Sequence, residues 1–222
     1  MEKTFISIAS SINFLLEILL PSKCVGCGIS GKELCQNCID KLETTNRETE
    51  NNIIALYDYR DPVVKNIIWK LKYHHSKRLG KILGRLLYNE LMEEIALLQV
   101  LSLGSPICII PVPISKKRKI MRGYNQSEII AKGFCSKNNN FEIKNNIIFK
   151  NTNTIPQAKL TNRNKRLKNI KGAFKIKNTD GIKGKTILII DDVTTTGGTI
   201  MEIMGVLKKN GAKKIVGFAV AH

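Results

Sequence analysis

The chain has 222 residues, 43% of them hydrophobic and 24% charged. That is enough apolar material for one medium domain with a small satellite, and too much for a disordered chain. Lys and Arg number 36 against 18 acids, and the excess is one-sided: residues 1–101 hold 13 basic and 12 acidic residues (net +1), residues 102–222 hold 23 and 6 (net +17). An anionic ligand is therefore expected on the second half.

The N-terminal stretch Phe5 to Leu20 is apolar but interrupted by Ser7, Ser10, Ser11, Asn13 and Glu17. It falls short of the roughly 18–20 unbroken apolar residues of a membrane span and lacks a small-residue cleavage site. The expectation is an amphipathic helix over 1–20 that docks on its own protein, in a cytoplasmic chain without a transmembrane span. Peripheral attachment at the inner face of the membrane is the alternative.

Four of the six cysteines follow at once, as Cys24-x2-Cys27-x7-Cys35-x2-Cys38. Two Cys-x2-Cys knuckles aim two pairs of thiolates at one ion, and four thiolates favour Zn2+. Gly26, Gly28 and Gly31 suit the tight turns such knuckles need. A closed four-thiolate site has no open coordination position, so the metal is expected to be a structural clip for a module over 21–42 that is too small for a core of its own. Cys108 and Cys135 sit in apolar surroundings and read as buried thiols.

The polar stretch 43–52 reads as a linker, and a further domain is expected over 53–222. Ile53 to Tyr57 is a strand candidate, and Val63, Val64, Ile67, Ile68 and Leu71 recur at helical spacing, with Trp69 expected in the core. His74 and His75 read as solvated or capping residues. One helix is expected from about Lys77 to Leu98, with Leu83, Leu86, Leu87 and Leu91 on one face. Ile107 to Val112 reads as a buried parallel strand closed by prolines, and a helix is expected from about Gln126 to Cys135. Residues 150–172 read as a loop; Thr186 to Ile190, Gly198 to Lys209 and Lys214 to Val220 read as strand, helix and strand, with Gly211 as the helix stop. Strands alternating with helices predict a twisted, parallel α/β sheet.

The densest chemistry lies in Leu188 to Ile200, LIIDDVTTTGGTI. A buried strand delivers Asp191 and Asp192 at its C-terminal end, where open α/β sheets bind ligands. Small hydroxyl and glycine residues then open a helix, whose free N–H groups form an anion cradle. A phosphate site beside two acceptors for hydroxyl groups suits a phosphorylated sugar. The spacing fits neither G-x4-G-K-[ST] nor G-x-G-x-x-G, which argues against an NTPase or a dinucleotide enzyme. Pro111 and Pro113 stiffen the loop after the preceding strand, and Arg118 and Arg122 can fork onto phosphate oxygens.

Leu188 to Ile200 resembles the signature for 5-phosphoribosyl 1-diphosphate (PRPP) of type I phosphoribosyltransferases. By that resemblance Asp191 and Asp192 bind the ribose hydroxyls, Thr195, Thr196, Gly197, Gly198 and Thr199 hold the 5′-phosphate, and Mg2+ accompanies PRPP. Pro111-Val112-Pro113 followed by Arg118 and Arg122-Gly123-Tyr124-Asn125-Gln126 is similar to the PVP…RGFNQ segment of the ComF family, phosphoribosyltransferase-like proteins associated with DNA uptake in competence. Leu20-Pro21 before Cys24 and Cys27, Leu71-Lys72-Tyr73, and Gln157…Asn169…Gly172-Ala173-Phe174 carry the same resemblance. Pro111, Val112, Pro113, Arg118 and Arg122 are then expected on the diphosphate side. Between Leu160 and Asn169 the chain is one residue longer than the usual pattern, which leaves Arg163 and Arg166 without an assigned role. Where Thr195 stands, 6-oxopurine transferases carry an acid, so the resemblance argues against hypoxanthine–guanine salvage.

Two functions stand side by side: transfer of the phosphoribosyl group from PRPP to an unknown acceptor, and a non-catalytic, single-stranded-DNA-binding component of DNA import beside other competence proteins. The stretch Lys159 to Lys177 has eight basic residues and no acid, and reads either as a loop closing over diphosphate or as a track for a nucleic-acid backbone.

Overall fold

The computed structural model describes residues 22–49, 52–151 and 172–222. The expected helix over 1–20, Gln157, Asn169 and most of the basic stretch 159–177 lie outside the described residues. The chain divides into two compact units, Met1–Leu42 and Glu43–His222.

In the first unit the backbone folds on its own hydrogen bonds. Gly28 N–H donates to the Cys24 carbonyl at 2.9 Å, Cys24 N–H to Ile29 at 2.8 Å, and Gly31 N–H to Ser22 at 2.8 Å. Gly28 (φ 78°) and Gly31 (φ 92°) take the left-handed conformations that these turns require. A single helical turn, α1 (Gln36–Ile39), starts directly after Cys35 and carries Cys38.

The second unit is a six-stranded sheet in the order β1-β2-β8-β7-β3-β4. Its strands are β1 (Thr44–Thr49), β2 (Ile53–Tyr57), β3 (Ile107–Pro111), β4 (Phe141–Ile143), β7 (Thr186–Val193) and β8 (Lys214–Ala221); β5 (Ile148–Lys150) and β6 (Phe174–Ile176) form a separate antiparallel pair. Within the six-stranded sheet, β1 alone runs antiparallel to its neighbour. Every residue of β2 and β3, and every residue of β7 up to Asp192, is buried, as the continuous apolar runs predict for strands covered on both faces. The polar stretch 43–52 is not a plain linker, because Thr44–Thr49 pairs with β2. Its polar residues fit an edge strand, where alternation is too weak to read as a strand.

The helices are α2 (Pro62–Tyr73), α3 (Lys77–Glu90), α4 (Met92–Leu101), α5 (Lys116–Arg122), α6 (Gln126–Cys135) and α7 (Gly198–Lys209). Asp61 starts α2 by accepting from the N–H groups of Val63 (2.6 Å) and Val64 (3.1 Å), with Pro62 in the first turn. The single helix expected over 77–98 is two, broken at Leu91 (φ −113°, ψ 30°). Leu83, Leu87, Leu91, Ile95 and Leu98 are all buried, so the apolar spacing runs through the break and carries no mark of it. Trp69 is not core; it stands 49% exposed. Cys108 is buried and Cys135 half-buried.

Helices α3 and α6 cross on small residues. A Cβ on Gly84 would run into the Ile130 carbonyl, and one on Gly133 into the Lys81 backbone. This close approach seats α6 against the sheet, where its N-terminus meets the end of β3. Asn125 caps α6 by accepting from Ser127 N–H at 3.2 Å, and its Nδ2 donates to the Val112 carbonyl at 3.0 Å. One side chain thus fixes both the start of α6 and the proline segment after β3.

Candidate ligand-binding cleft and four-cysteine cluster

Asp191 and Asp192 end a strand buried on both faces, and both are buried. Two adjacent carboxylates out of water repel one another, so the surrounding donors decide their state. Ser127 Oγ donates to Asp191 Oδ1 at 3.0 Å, and Asp192 N–H reaches the same oxygen at 2.9 Å. Val193 N–H donates to Asp192 Oδ1 at 2.7 Å, and Lys72 Nζ pairs with Asp192 Oδ2 at 3.2 Å. Burial, then the charge of Asp192, still push the Asp191 carboxyl up to about 7, against the pull of the Asp192 N–H, Ser127 and Lys72.

Lys72 is placed from a distance in sequence. Tyr124 Oη donates to the Leu71 carbonyl at 2.6 Å, and the His75 ring nitrogen Nδ1 lies 2.9 Å from the Arg122 carbonyl oxygen. These contacts clamp the last turn of α2 to the turn between α5 and α6, where Gly123 adopts φ 71°. His75 is therefore a tether, and His74 caps α2 through its backbone N–H.

A cleft of about 450 Å3 opens at this end of the sheet. Its walls bring together the expected Val112, Pro113, Arg118, Arg122, Asp191, Asp192, Thr195 and Thr199. Residues 193–199 also form a recess of about 30 Å3, which contains Thr196, Gly197 and Gly198. Gly197 caps α7 at φ 71°, where a Cβ would press on Ile53, so the tight approach needs glycine. Pro111 faces a neighbouring groove that shares Pro113 with the cleft.

The charged residues of the cleft are Lys72, Arg118, Arg122 and Lys150 against Asp191 and Asp192. Burial, then the charge of Arg118, push Lys150 below its ordinary range. Arg122 Nη1 donates to Gln126 Oε1 at 2.9 Å, which turns Gln126 Nε2 away as a donor. Among the described residues neither Gln126 Nε2 nor Arg122 Nε has a partner, and both are buried. Buried donors left so cost roughly 1–3 kcal/mol each, and an acceptor on a ligand would satisfy them. Sequence reasoning missed Lys72, Ser127, Gln126, Lys150 and the aromatic residues Trp69 and Tyr73 as parts of this wall. Lys72, Tyr73 and Gln126 lie inside the Leu71-Lys72-Tyr73 and Arg122–Gln126 segments and Ser127 directly follows the second, which was the only signal for them.

In the first unit the sulfurs of Cys24, Cys27, Cys35 and Cys38 all lie within 4.8 Å of one another, and those of Cys27 and Cys35 are 3.6 Å apart. The edge of a tetrahedral zinc–thiolate site is about 3.8 Å, from Zn–S bonds of about 2.3 Å. Burial opposes ionisation of Cys24, yet the N–H groups of Cys27, Cys35 and Gly26 bring its thiol down to about 6. Cys38, hydrogen-bonded to Cys35, is pushed up to about 12. Four sulfurs this close would repel one another once ionised, and a cation at their centre would relieve that, so the cluster could hold a metal ion such as zinc.

Residues 124–222 match the phosphoribosyl transferase domain family. The DNA utilization protein YhgH of Escherichia coli O157:H7 is 29% identical over 195 residues, which cover 86% of this chain and 80% of that protein. Competence protein F of Haemophilus influenzae is 28% identical over 203 residues, 88% of this chain and 84% of that one. The chain is thus similar over most of its length to a DNA utilization protein and a competence protein, and its second half matches the phosphoribosyl transferase domain family. Among solved structures, the glutamine phosphoribosylpyrophosphate amidotransferase of B. subtilis complexed with ADP and GMP aligns with a TM-score of 0.40 and 18% identity, over 65% of this chain and 26% of that one. The match to the phosphoribosyl transferase domain family starts at Tyr124, inside the clamp to α2, and contains Ser127, both aspartates and the whole 193–199 loop.

Reduced, purified protein is expected to carry one zinc per chain by elemental analysis, and Cys24→Ser to lose it while the sheet stays folded by circular dichroism. Metal-free wild-type protein would contradict this. A second expectation concerns pH. Native Asp191 holds its proton up to about 7, whereas an unfolded Asp releases it near 3.8. The native state therefore binds more protons between these values, and the stability contributed by Asp191 falls as pH rises from about 4 to about 7. Asp191→Asn removes that loss, worth up to about 4 kcal/mol. Urea unfolding should show the variant gaining on wild type between pH 5 and pH 8; parallel profiles would refute the burial argument.

Proposed function

We propose that the cleft binds PRPP with Mg2+ and that the chain transfers its phosphoribosyl group to an acceptor, in the service of DNA uptake. What carries this reading is the charge of the wall: four cations, Lys72, Arg118, Arg122 and Lys150, line the same cleft as the two carboxylates. Such a wall favours a ligand with two demands, anionic oxygens and hydroxyl donors, and a phosphorylated ribose diphosphate meets both. The ribose hydroxyls donate to Asp191 and Asp192. Threonine hydroxyls and N–H groups of residues 195–199 take the 5′-phosphate at the start of α7. Arg118 and Arg122 take diphosphate oxygens, and Gln126 adds its amide donor. The aspartate oxygens, with PRPP's own diphosphate, are a hard donor set that fits Mg2+, which supplies charge neutralisation when bound. Zn2+ at the four cysteines is the structural clip of the first unit. The relatives' names, a competence protein and a DNA utilization protein, support the link to DNA uptake.

A second reading, single-stranded DNA binding, is favoured by a groove beside the cleft. It measures about 570 Å3 and is lined by Lys116, Lys119 and Lys150, with Phe149 42% exposed. Backbone phosphates would meet the lysines and a base would stack on Phe149. Among the described residues no helix is long and apolar enough to cross a membrane.

Calorimetry with PRPP and Mg2+ is expected to show saturable binding. The variant with both Asp191→Asn and Asp192→Asn should bind at least a hundredfold more weakly, since each charge-assisted hydrogen bond is worth roughly 1.5–3 kcal/mol. Equal affinity in the variant would sink the PRPP reading. For DNA, retention of a single-stranded oligonucleotide should fall with salt by about 0.7 in log–log slope per phosphate contact. Lys116→Glu with Lys119→Glu should flatten that slope by about 1.4, and absence of retention at low salt would dispose of the second reading.

A further inference from the structure

Among the described residues, Lys72 is the one cation held on the acid pair. Its Nζ lies 3.2 Å from Asp192 Oδ2, and the two side chains are only 20% and 12% exposed. Two other cations of the cleft are committed elsewhere. Arg122 Nη1 donates to Gln126 Oε1, and its guanidinium stands 5.7 Å from the centre of the Tyr73 ring. The Lys150 ammonium stands 5.6 Å from the centre of the Phe174 ring. An exposed ion pair is worth little, but one this far withdrawn from water holds together, since neither charge regains full hydration by leaving the other.

Both partners are fixed from behind. Lys72 reaches the pair from the last turn of α2, which Tyr124 and His75 tether through the Leu71 and Arg122 carbonyls. Asp192 Oδ1 accepts from Val193 N–H, which leaves Oδ2 to the ammonium. Asp191 Oδ1 accepts from Ser127 Oγ and from Asp192 N–H. Of the four carboxylate oxygens, Asp191 Oδ2 alone then lacks a protein partner among the described residues. Two adjacent carboxylates are a hard oxygen set of the kind that divalent cations seek. An ion entering here would find Asp192 Oδ2 taken and would meet a positive charge beside it. The ammonium rides on a flexible four-carbon stem, so an arriving phosphate can draw it off the carboxylate.

We propose that Lys72 is a resident counterion that keeps divalent cations off the Asp191–Asp192 pair until an anionic ligand draws its ammonium away. The ion then enters together with the ligand and not ahead of it. Lys72 acts on the metal through the aspartates, as a positioning residue. Only the identity of the ligand rests on the PRPP reading; the exclusion of the metal does not.

The test uses Mn2+ alone as the probe, titrated into the full-length protein above the range in which Asp191 gives up its proton. Electron paramagnetic resonance counts the free ion. Lys72→Met is expected to gain a site for about one Mn2+ per chain, roughly tenfold or more tighter than wild type, because a like charge beside the ion is removed. Lys72→Gln should gain the same site, and decides the matter if Lys72→Met fails to fold by circular dichroism. Lys72→Arg should stay at the wild-type level, and adding Asp192→Asn to either neutral variant should abolish the gain. Wild type that binds Mn2+ as tightly as the neutral variants overturns the proposal, and so does a gain that survives Asp192→Asn. PRPP is then added, with correction for the Mn2+ it holds in solution. It should raise the Mn2+ affinity of wild type by a larger factor than that of Lys72→Met, which has no ammonium to displace; equal factors above one overturn the displacement. If PRPP changes neither protein while the neutral variants still gain Mn2+, the counterion stands and the PRPP reading falls.

Discussion

Two neighbouring carboxylates at the end of a fully buried strand are the constraint around which this domain is arranged. Asp191 and Asp192 cannot both ionise in an apolar setting without help, and the structure supplies it from four directions. Ser127 comes from α6, Lys72 from α2, and the N–H groups of Asp192 and Val193 from the strand itself. The help is incomplete, since Asp191 is still held up to about 7. An imperfectly stabilised acid pair beside a surplus of cations is costly as scaffolding and useful as a binding site. A ligand bearing hydroxyls and phosphates relieves both imbalances at once.

The donors reach the pair because small and tethering residues fix the helices that carry them. Gly84 and Gly133 let α3 and α6 approach until backbone meets backbone. Asn125 fastens the start of α6 to Val112, and Tyr124 fastens the end of α2 to the turn before α6. Three segments far apart in sequence, at 71–75, 111–113 and 122–127, are thereby locked around the end of β7. Leu71-Lys72-Tyr73, Pro111-Val112-Pro113 and Arg122–Gln126, three of the segments that carry the resemblance in the sequence, lie here, and each positions a group for the others.

Much of the sheet was legible because a strand buried on both faces needs a continuous apolar run, and Ile53–Tyr57, Ile107–Val112 and Thr186–Ile190 have one. The aspartates and the 194–199 loop were legible because their composition makes little sense as filler. The edge strand Thr44–Thr49 was not, since an edge tolerates polar residues. Nor was the break at Leu91, where the buried spacing continues unchanged. Trp69 looked like core because it sits among apolar helix positions, and only the three-dimensional turn of α2 shows that it faces the cleft. Lys72 and Ser127 lack a local signature, for their roles exist only through partners 120 and 64 positions away.

The central claim is that the acid pair and the loop after it hold a phosphorylated sugar between them. A crystal structure of the protein grown with PRPP and Mg2+ tests it most directly. The account predicts ribose hydroxyls within hydrogen-bonding distance of Asp191 and Asp192, with the 5′-phosphate against the N–H groups of residues 195–199. Sugar and phosphate bound instead along Lys116 and Lys119, with the aspartates untouched, would contradict it.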